Sequence, residues 1–160
     1  TFSTKIRKKT GNKYNNVVDG DWDITDLEKF EVRVAFYVSA RDVLKDKTKQ
    51  WQDTKFYDWC MQKISKGIGK KCSCRANTIE GFNKRLRKLE KMYEDIKLNG
   101  YKAKGSPVQI HIDRYGNPLF CDGRHRVTFA KLLDVPKIPV GVRMMHKQWQ
   151  DTGNGLSHLI

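Results

Sequence analysis

The stretch 118–142, PLFCDGRHRVTFAKLLDVPKIPVGV, decides the fold. Leu119, Phe120 and Cys121 form a short apolar run of the kind that makes a buried strand. Asp122-Gly123 interrupts it as a turn dipeptide. Val127, Phe129, Ala130, Leu132 and Leu133 then recur at helical spacing. Asp134 to Pro136 stop that helix, and Ile138 to Val142 reads as a further strand. The segment is therefore strand, glycine turn, helix, turn, strand. Arg124, His125 and Arg126 stand where the helix begins. A helix N-terminus carries unpaired N–H groups and the positive end of the macrodipole, so it attracts anions. Two arginines and a histidine on that turn point to phosphate recognition.

The preceding residues extend the pattern. Pro107 to Ile112 alternates and reads as a strand. The turn Asp113 to Asn117, with Tyr115-Gly116-Asn117, folds it back onto Leu119–Cys121 as a hairpin. Upstream, 79–98 has apolar side chains at Phe82, Leu86, Leu89, Met92 or Tyr93, and Ile96, which predicts an amphipathic helix. Thr78 caps its start and Asn99-Gly100 ends it. Glu80 falls in the first turn, where a carboxylate suits the helix dipole whatever else it does. A second helix is expected from Thr54 to about residue 66, burying Phe56, Tyr57, Trp59, Cys60 and Ile64. A third is expected over 26–44, although Val32 to Val38 would also suit a strand. The expected layout is a basic arm over 1–16, a mainly helical extension over 17–77, a core over 78–150, and a tail over 151–160.

Net charge is +14, from 32 Lys and Arg against 18 Asp and Glu. That excess favours polyanionic partners, nucleotide phosphates or DNA. The basic arm around Lys5 to Lys9, the run Lys66 to Arg75, and Lys84 to Lys91 carry much of it. No stretch reaches the roughly 18 apolar residues that a membrane span needs. The N-terminal residues lack the apolar core of a secretory signal. The expectation is a cytoplasmic protein with no membrane partner.

Three motifs fail on spacing. Asp19, Asp21 and Asp23 alternate as in a calcium loop, but Ile24 and Phe30 stand where that loop needs Gly and Glu. A turn whose aspartates bond nearby amides fits better. Lys66-Gly-Ile-Gly-Lys-Lys71 lacks the glycine spacing and the Ser or Thr of a P-loop and reads as a helix end followed by a solvated basic loop. Cys72-x-Cys74 is too short for a zinc knuckle, and no second pair completes one.

Residues 78–143 resemble the ParB N-terminal-domain and sulfiredoxin superfamily. The resemblance rests on the helix ending in Ile96-x-x-x-Gly100, the Pro107-Val-x-Ile110 strand, the Asp122-Gly-x-His-Arg126 turn, the Ala/Leu helix after it, and the Ile138-Pro-Val-x-Val142 strand. The turn is most similar to that of ParB-like free-serine kinases. The fold so implied is α/β (α+β), a small mixed sheet with flanking helices. The resemblance further implies a nucleotide-dependent enzyme, a phosphotransferase or nucleotide hydrolase, using ATP, ADP or CTP with magnesium. Gly123, Arg124, His125 and Arg126 would face phosphate. Asp122 would hold the metal and act in catalysis with Glu80 and His125. Two family chemistries are not expected. Sulfiredoxins carry cysteine directly before the His-Arg pair, and here that residue is Arg124. Partition proteins carry a second arginine where His125 stands and a basic residue where Thr128 stands, and their DNA-binding and dimerisation regions have no room here. The other readings are a nucleic-acid-binding protein or ParB-like nuclease, and a non-catalytic interaction module that keeps the turn only to join strand to helix.

Overall fold

The computed structural model describes residues 16–24, 35–102 and 107–152. Residues 1–15 of the expected arm, 26–34 of the expected 26–44 helix, and 153–160 of the tail lie outside these. The described residues form a four-stranded mixed sheet and a set of helices, an α+β class. They divide into two compact units.

The first unit comprises 16–24, 107–124 and 137–152. It contains β1 (Asn16–Val18), β2 (Val108–Ile112), β3 (Pro118–Asp122) and β4 (Val140–His146), with the short helix Lys147–Asp151 after β4. The sheet order is β1-β4-β2-β3. β2 pairs antiparallel with β3 and parallel with β4, and β1 runs parallel to β4. The 113–117 turn sets the hairpin register. Asp113 Oδ1 accepts from the Tyr115 and Asn117 amides at 2.8 and 2.7 Å, and its Oδ2 accepts from Asn117 Nδ2 at 3.0 Å. Gly116 completes the turn at φ 85°, against the ring of Trp149. On one face of the sheet Leu119 and Met144 are fully buried, with Val18 and Trp22 packed on them. The last strand begins later than the sequence suggests and runs longer. Pro139 has no N–H for a ladder, so pairing starts at Val140 opposite Val108. It continues to His146 because β1 supplies a second neighbour.

The loop 19–24 is tied down at both ends. Gly20 donates to Asp19 Oδ1 at 2.8 Å, the local turn bond expected of this segment. Asp23 instead reaches Arg114 of the hairpin turn, 91 residues away. His146 Nε2 lies 2.8 Å from the Gly20 carbonyl oxygen, and Trp22 Nε1 donates to the Val18 carbonyl at 3.1 Å.

The second unit comprises 35–102 and 125–136. Its helices are α1 (Ala35–Ala40), which continues as a π-helical turn over Arg41–Lys45, α2 (Lys55–Ser65), α3 (Ile79–Asn99) and, from His125 on, α4 (Arg124–Leu132). Thr54 caps α2, accepting from the Tyr57 amide at 3.2 Å while its hydroxyl donates to the Trp51 carbonyl at 2.7 Å. Thr78 caps α3 through the Gly81 amide at 3.1 Å, and Gly100 ends it at φ 73°. The apolar stripe of α3 is buried at Phe82, Leu86, Leu89, Tyr93 and Ile96. Aromatic rings dominate this core. Phe36 stacks on Trp51 with centroids 5.8 Å apart and meets Phe56 edge-on at 5.0 Å. Phe129 of α4 packs against both Phe36 and Tyr93. Trp51 also donates from Nε1 to Glu90 Oε1 at 2.7 Å.

The 66–77 loop is more tightly built than a solvated basic loop. Gly69, Cys74 and Ala76 are buried. The Lys70 amide donates to Asn77 Oδ1 at 2.9 Å. A side chain at Gly69 would collide with the Ala76 carbonyl.

Candidate functional site

Asp122 to Arg126 form one continuous junction between β3 and α4. The β2–β3 register shifts between Gln109 and Ile110, so Cys121 is the extra residue of a bulge just before the strand ends at Asp122. Bulges sharpen twist and redirect the chain. Gly123 then adopts φ 98°, which L side chains rarely reach, and α4 begins at Arg124. A residue other than glycine would strain this turn. Asp122 folds its carboxylate back, and Oδ1 accepts from the Gly123 amide at 2.9 Å. That amide, one of those expected to face phosphate, thus has a local acceptor. The first turn of α4 carries no acid, and Arg124, His125 and Arg126 are all partly exposed. Positive side chains and the positive helix end coincide there.

The His125 ring meets Phe36 edge-on, with centroids 4.7 Å apart and planes at 89°. One face of its environment is therefore the aromatic core of the second unit, a packing role beside any polar one. Glu80 is exposed in the first turn of α3 and belongs to the second unit, whereas Asp122 belongs to the first. Among the described residues, no three His, Cys, Asp or Glu side chains gather where they could hold a metal ion. Asp122 is the carboxylate at this junction, and magnesium commonly takes only one or two protein carboxylates beside phosphate oxygens and water.

A second polar group, announced by no motif in the sequence, lies inside the first unit. His111 of β2 is fully buried, with Trp22 set edge-on to its ring at 6.2 Å. Neither ring nitrogen has a hydrogen-bond partner among the described residues. Burial, aided by the positive charge of Arg143, lowers its pKa to about 4, so the ring is neutral at ordinary pH. Arg143 is itself buried, and its Nη1 lies 3.9 Å from Cys121 Sγ. It sits at the second bulge of the sheet, where the β2–β4 register shifts between Ile110 and His111. The signal available in the sequence was a histidine in the apolar alternation of 108–112 and an arginine directly after the apolar run 138–142.

Basic side chains concentrate in the second unit. Residues 63–91 contain ten Lys and Arg against two acids, Glu80 and Glu90, a local excess that accounts for much of the net charge. Lys70, Lys71, Arg75, Arg87, Lys88 and Lys91 are exposed. No helix among the described residues is long and apolar enough to cross a membrane.

No family model, curated protein or solved structure matches this chain.

Proposed function

We propose that this chain is a nucleotide-binding enzyme of the ParB/sulfiredoxin-like type, a phosphotransferase or nucleotide hydrolase that holds phosphate at the 122–126 junction. The observation that carries the reading is the passage from β3 through Gly123, at φ 98°, into a helix whose first turn bears Arg124 and Arg126 and no acid. Phosphoryl transfer depends on positioning and charge stabilisation more than on covalent chemistry. Arginine suits it because its planar fork can grip phosphate bidentately. Asp122 would hold a magnesium ion, whose charge would help neutralise a bound phosphate, and Glu80 would accept the proton of an attacking hydroxyl. His125 would donate to phosphate from its imidazole.

The test is thermal stabilisation by ATP, ADP, CTP and GTP with magnesium, on the wild type and on Arg126→Ala. A shift with at least one nucleotide that is lost in the variant supports the proposal. Absence of a shift with every nucleotide sinks it.

A second reading, nucleic-acid binding with or without nuclease activity, is favoured by the basic excess over 63–91. Affinity that rests on phosphate contacts falls steeply with salt. Retention of duplex and single-stranded DNA at two salt concentrations tests this, and binding indifferent to salt contradicts it.

A further inference from the structure

We propose that Cys72 and Cys74 form a reversible dithiol–disulfide pair, oxidised by peroxide, in the loop between α2 and α3. Their Sγ atoms are 2.7 Å apart, inside the contact distance of two unbonded sulfurs, and both cysteines are free. The loop itself imposes this meeting. The Cys72 amide donates to the Gly69 carbonyl, and the Arg75 amide closes a turn onto the Cys72 carbonyl at 3.2 Å, with Arg75 at φ 48°. Gly69 is buried against the Ala76 carbonyl, so the two ends of the loop are held together. Joining residues two apart closes a very small ring, and a pair already in contact needs little main-chain movement to bond.

The two sulfurs differ in the way an attacking and a resolving thiol differ. Cys72 is partly exposed, with its thiol directed at the Gly69 carbonyl oxygen, 3.1 Å away. Cys74 is fully buried, with Sγ 3.7 Å from the Cys60 carbonyl oxygen. Burial, with the neighbouring Cys72 sulfur, pushes the Cys74 thiol up. Burial likewise pushes up the thiol of Cys60, which stays protonated and inert behind the pair. Thiolate character and access decide which cysteine a peroxide meets first.

The chemistry balances with hydrogen peroxide as the oxidant. The Cys72 thiolate attacks one peroxide oxygen. An S–O bond forms, the O–O bond breaks, and the departing hydroxide takes up a proton as water. Cys74 sulfur then attacks the Cys72 sulfenic sulfur. The S–S bond forms, the S–O bond breaks, and a second water leaves carrying the Cys74 proton. Two thiols lose two electrons to peroxide, and a dithiol reductant restores them. Oxidation removes the Cys72 S–H that points at Gly69, and so acts on a loop that carries Lys70, Lys71 and Arg75.

The experiment is a free-thiol count in denaturant after peroxide treatment of the reduced full chain. The expected result is a fall from four thiols to two, with the protein monomeric by non-reducing electrophoresis and the loss of two hydrogens mapped to the segment holding Cys72 and Cys74. Dithiothreitol should return the count to four. Cys72→Ser should keep its three remaining thiols under the same treatment. Cys74→Ser should stop at a Cys72 sulfenic acid that dimedone traps. A wild-type count that stays at four overturns the proposal. So do disulfide-linked dimers, or a Cys72→Ser protein that still loses two thiols. Circular dichroism of both variants checks that each is folded.

Discussion

Arg114 grips Asp23 from two sides. Its Nη2 and Nε donate to the carboxylate at 2.7 Å (Oδ1) and 3.0 Å (Oδ2), and its main-chain amide donates to Oδ2 at 2.8 Å. The Asp23 side chain is 2% exposed, whereas Asp21, which meets the same guanidinium at 3.0 Å, is 81% exposed. This pairing explains why the alternating aspartates resemble a calcium loop without being one. The cation that Asp21 and Asp23 share is Arg114. Removing one partner of a buried, hydrogen-bonded pair costs far more than trimming an exposed one. Asp23→Ala should therefore destabilise by about 3 kcal/mol, and Asp21→Ala by less than about 1 kcal/mol. Urea midpoints for the two variants test the ranking, and equal losses would refute it.

The same unit should lose stability in acid in two stages. Burial alone would raise the Asp23 carboxyl, but the Arg114 side-chain and main-chain hydrogen bonds outweigh it and hold the pKa below the usual range. Its contribution is present above the unfolded carboxylate pKa of about 3.9 and is lost as pH falls through the lower folded value. His111 acts earlier. Its folded pKa is about 4, against about 6.5 unfolded. The unfolded chain therefore takes up the proton first, and stability declines as pH drops from about 6.5 to 4, by roughly 3 kcal/mol in all. His111→Leu should flatten that part of the stability–pH curve while leaving the steeper loss below it. An unchanged slope between those limits would show that His111 is not the group responsible.

The parts of the fold that depend on near neighbours were readable in the sequence. The 113–117 turn, the Thr54 and Thr78 caps and the α3 stripe all follow from residues within a few positions of one another. What escaped depends on distant partners. Three residues, Asn16 to Val18, carry too little periodicity to announce a strand, and β1 exists through its parallel pairing with β4. Nothing local to Asp23 points to Arg114. The bulges at Cys121 and Arg143 arise from the registers of β3 and β4 on β2, which no single strand encodes. At the junction, the order strand, glycine, basic helix start was legible. The return of Asp122 onto the Gly123 amide and the packing of His125 on Phe36 were not, because each is set by a side-chain rotamer and its neighbours.

Two glycines in one loop should respond oppositely to the usual rules. Gly67 has φ 67° with open space where a Cβ would stand. Its replacement by alanine meets only the left-handed backbone cost, about 1 kcal/mol. A Cβ at Gly69 would lie 1.9 Å from the Ala76 carbonyl oxygen and 2.9 Å from Ile64 Cγ1. Something must move there, and overpacking of this kind costs about 1–3 kcal/mol. Gly69→Ala should be the more damaging change although Gly67 has the rarer dihedral. Thermal unfolding of both variants decides. A Gly69→Ala protein as stable as the wild type would mean that the loop is not held shut against Ala76.

Glu80 separates a catalytic carboxylate from a helix-stabilising one. In the first turn of α3, beside the Thr78 cap, its charge offsets the helix dipole whether or not it touches a substrate. Glu80→Gln should then lower stability by no more than about 1 kcal/mol. If the carboxylate also accepts the proton of an attacking hydroxyl, the same variant should retain nucleotide-induced stabilisation yet lose at least about a hundredfold in turnover, the usual contribution of a positioned base. Arg126→Lys completes the test from the phosphate side. It keeps the charge but loses the planar fork, so its nucleotide shift should fall between those of the wild type and Arg126→Ala. Full turnover in Glu80→Gln, with the nucleotide shift intact, would confine Glu80 to its place in the helix and leave phosphate binding at Gly123 to Arg126 to be judged by the arginine series alone.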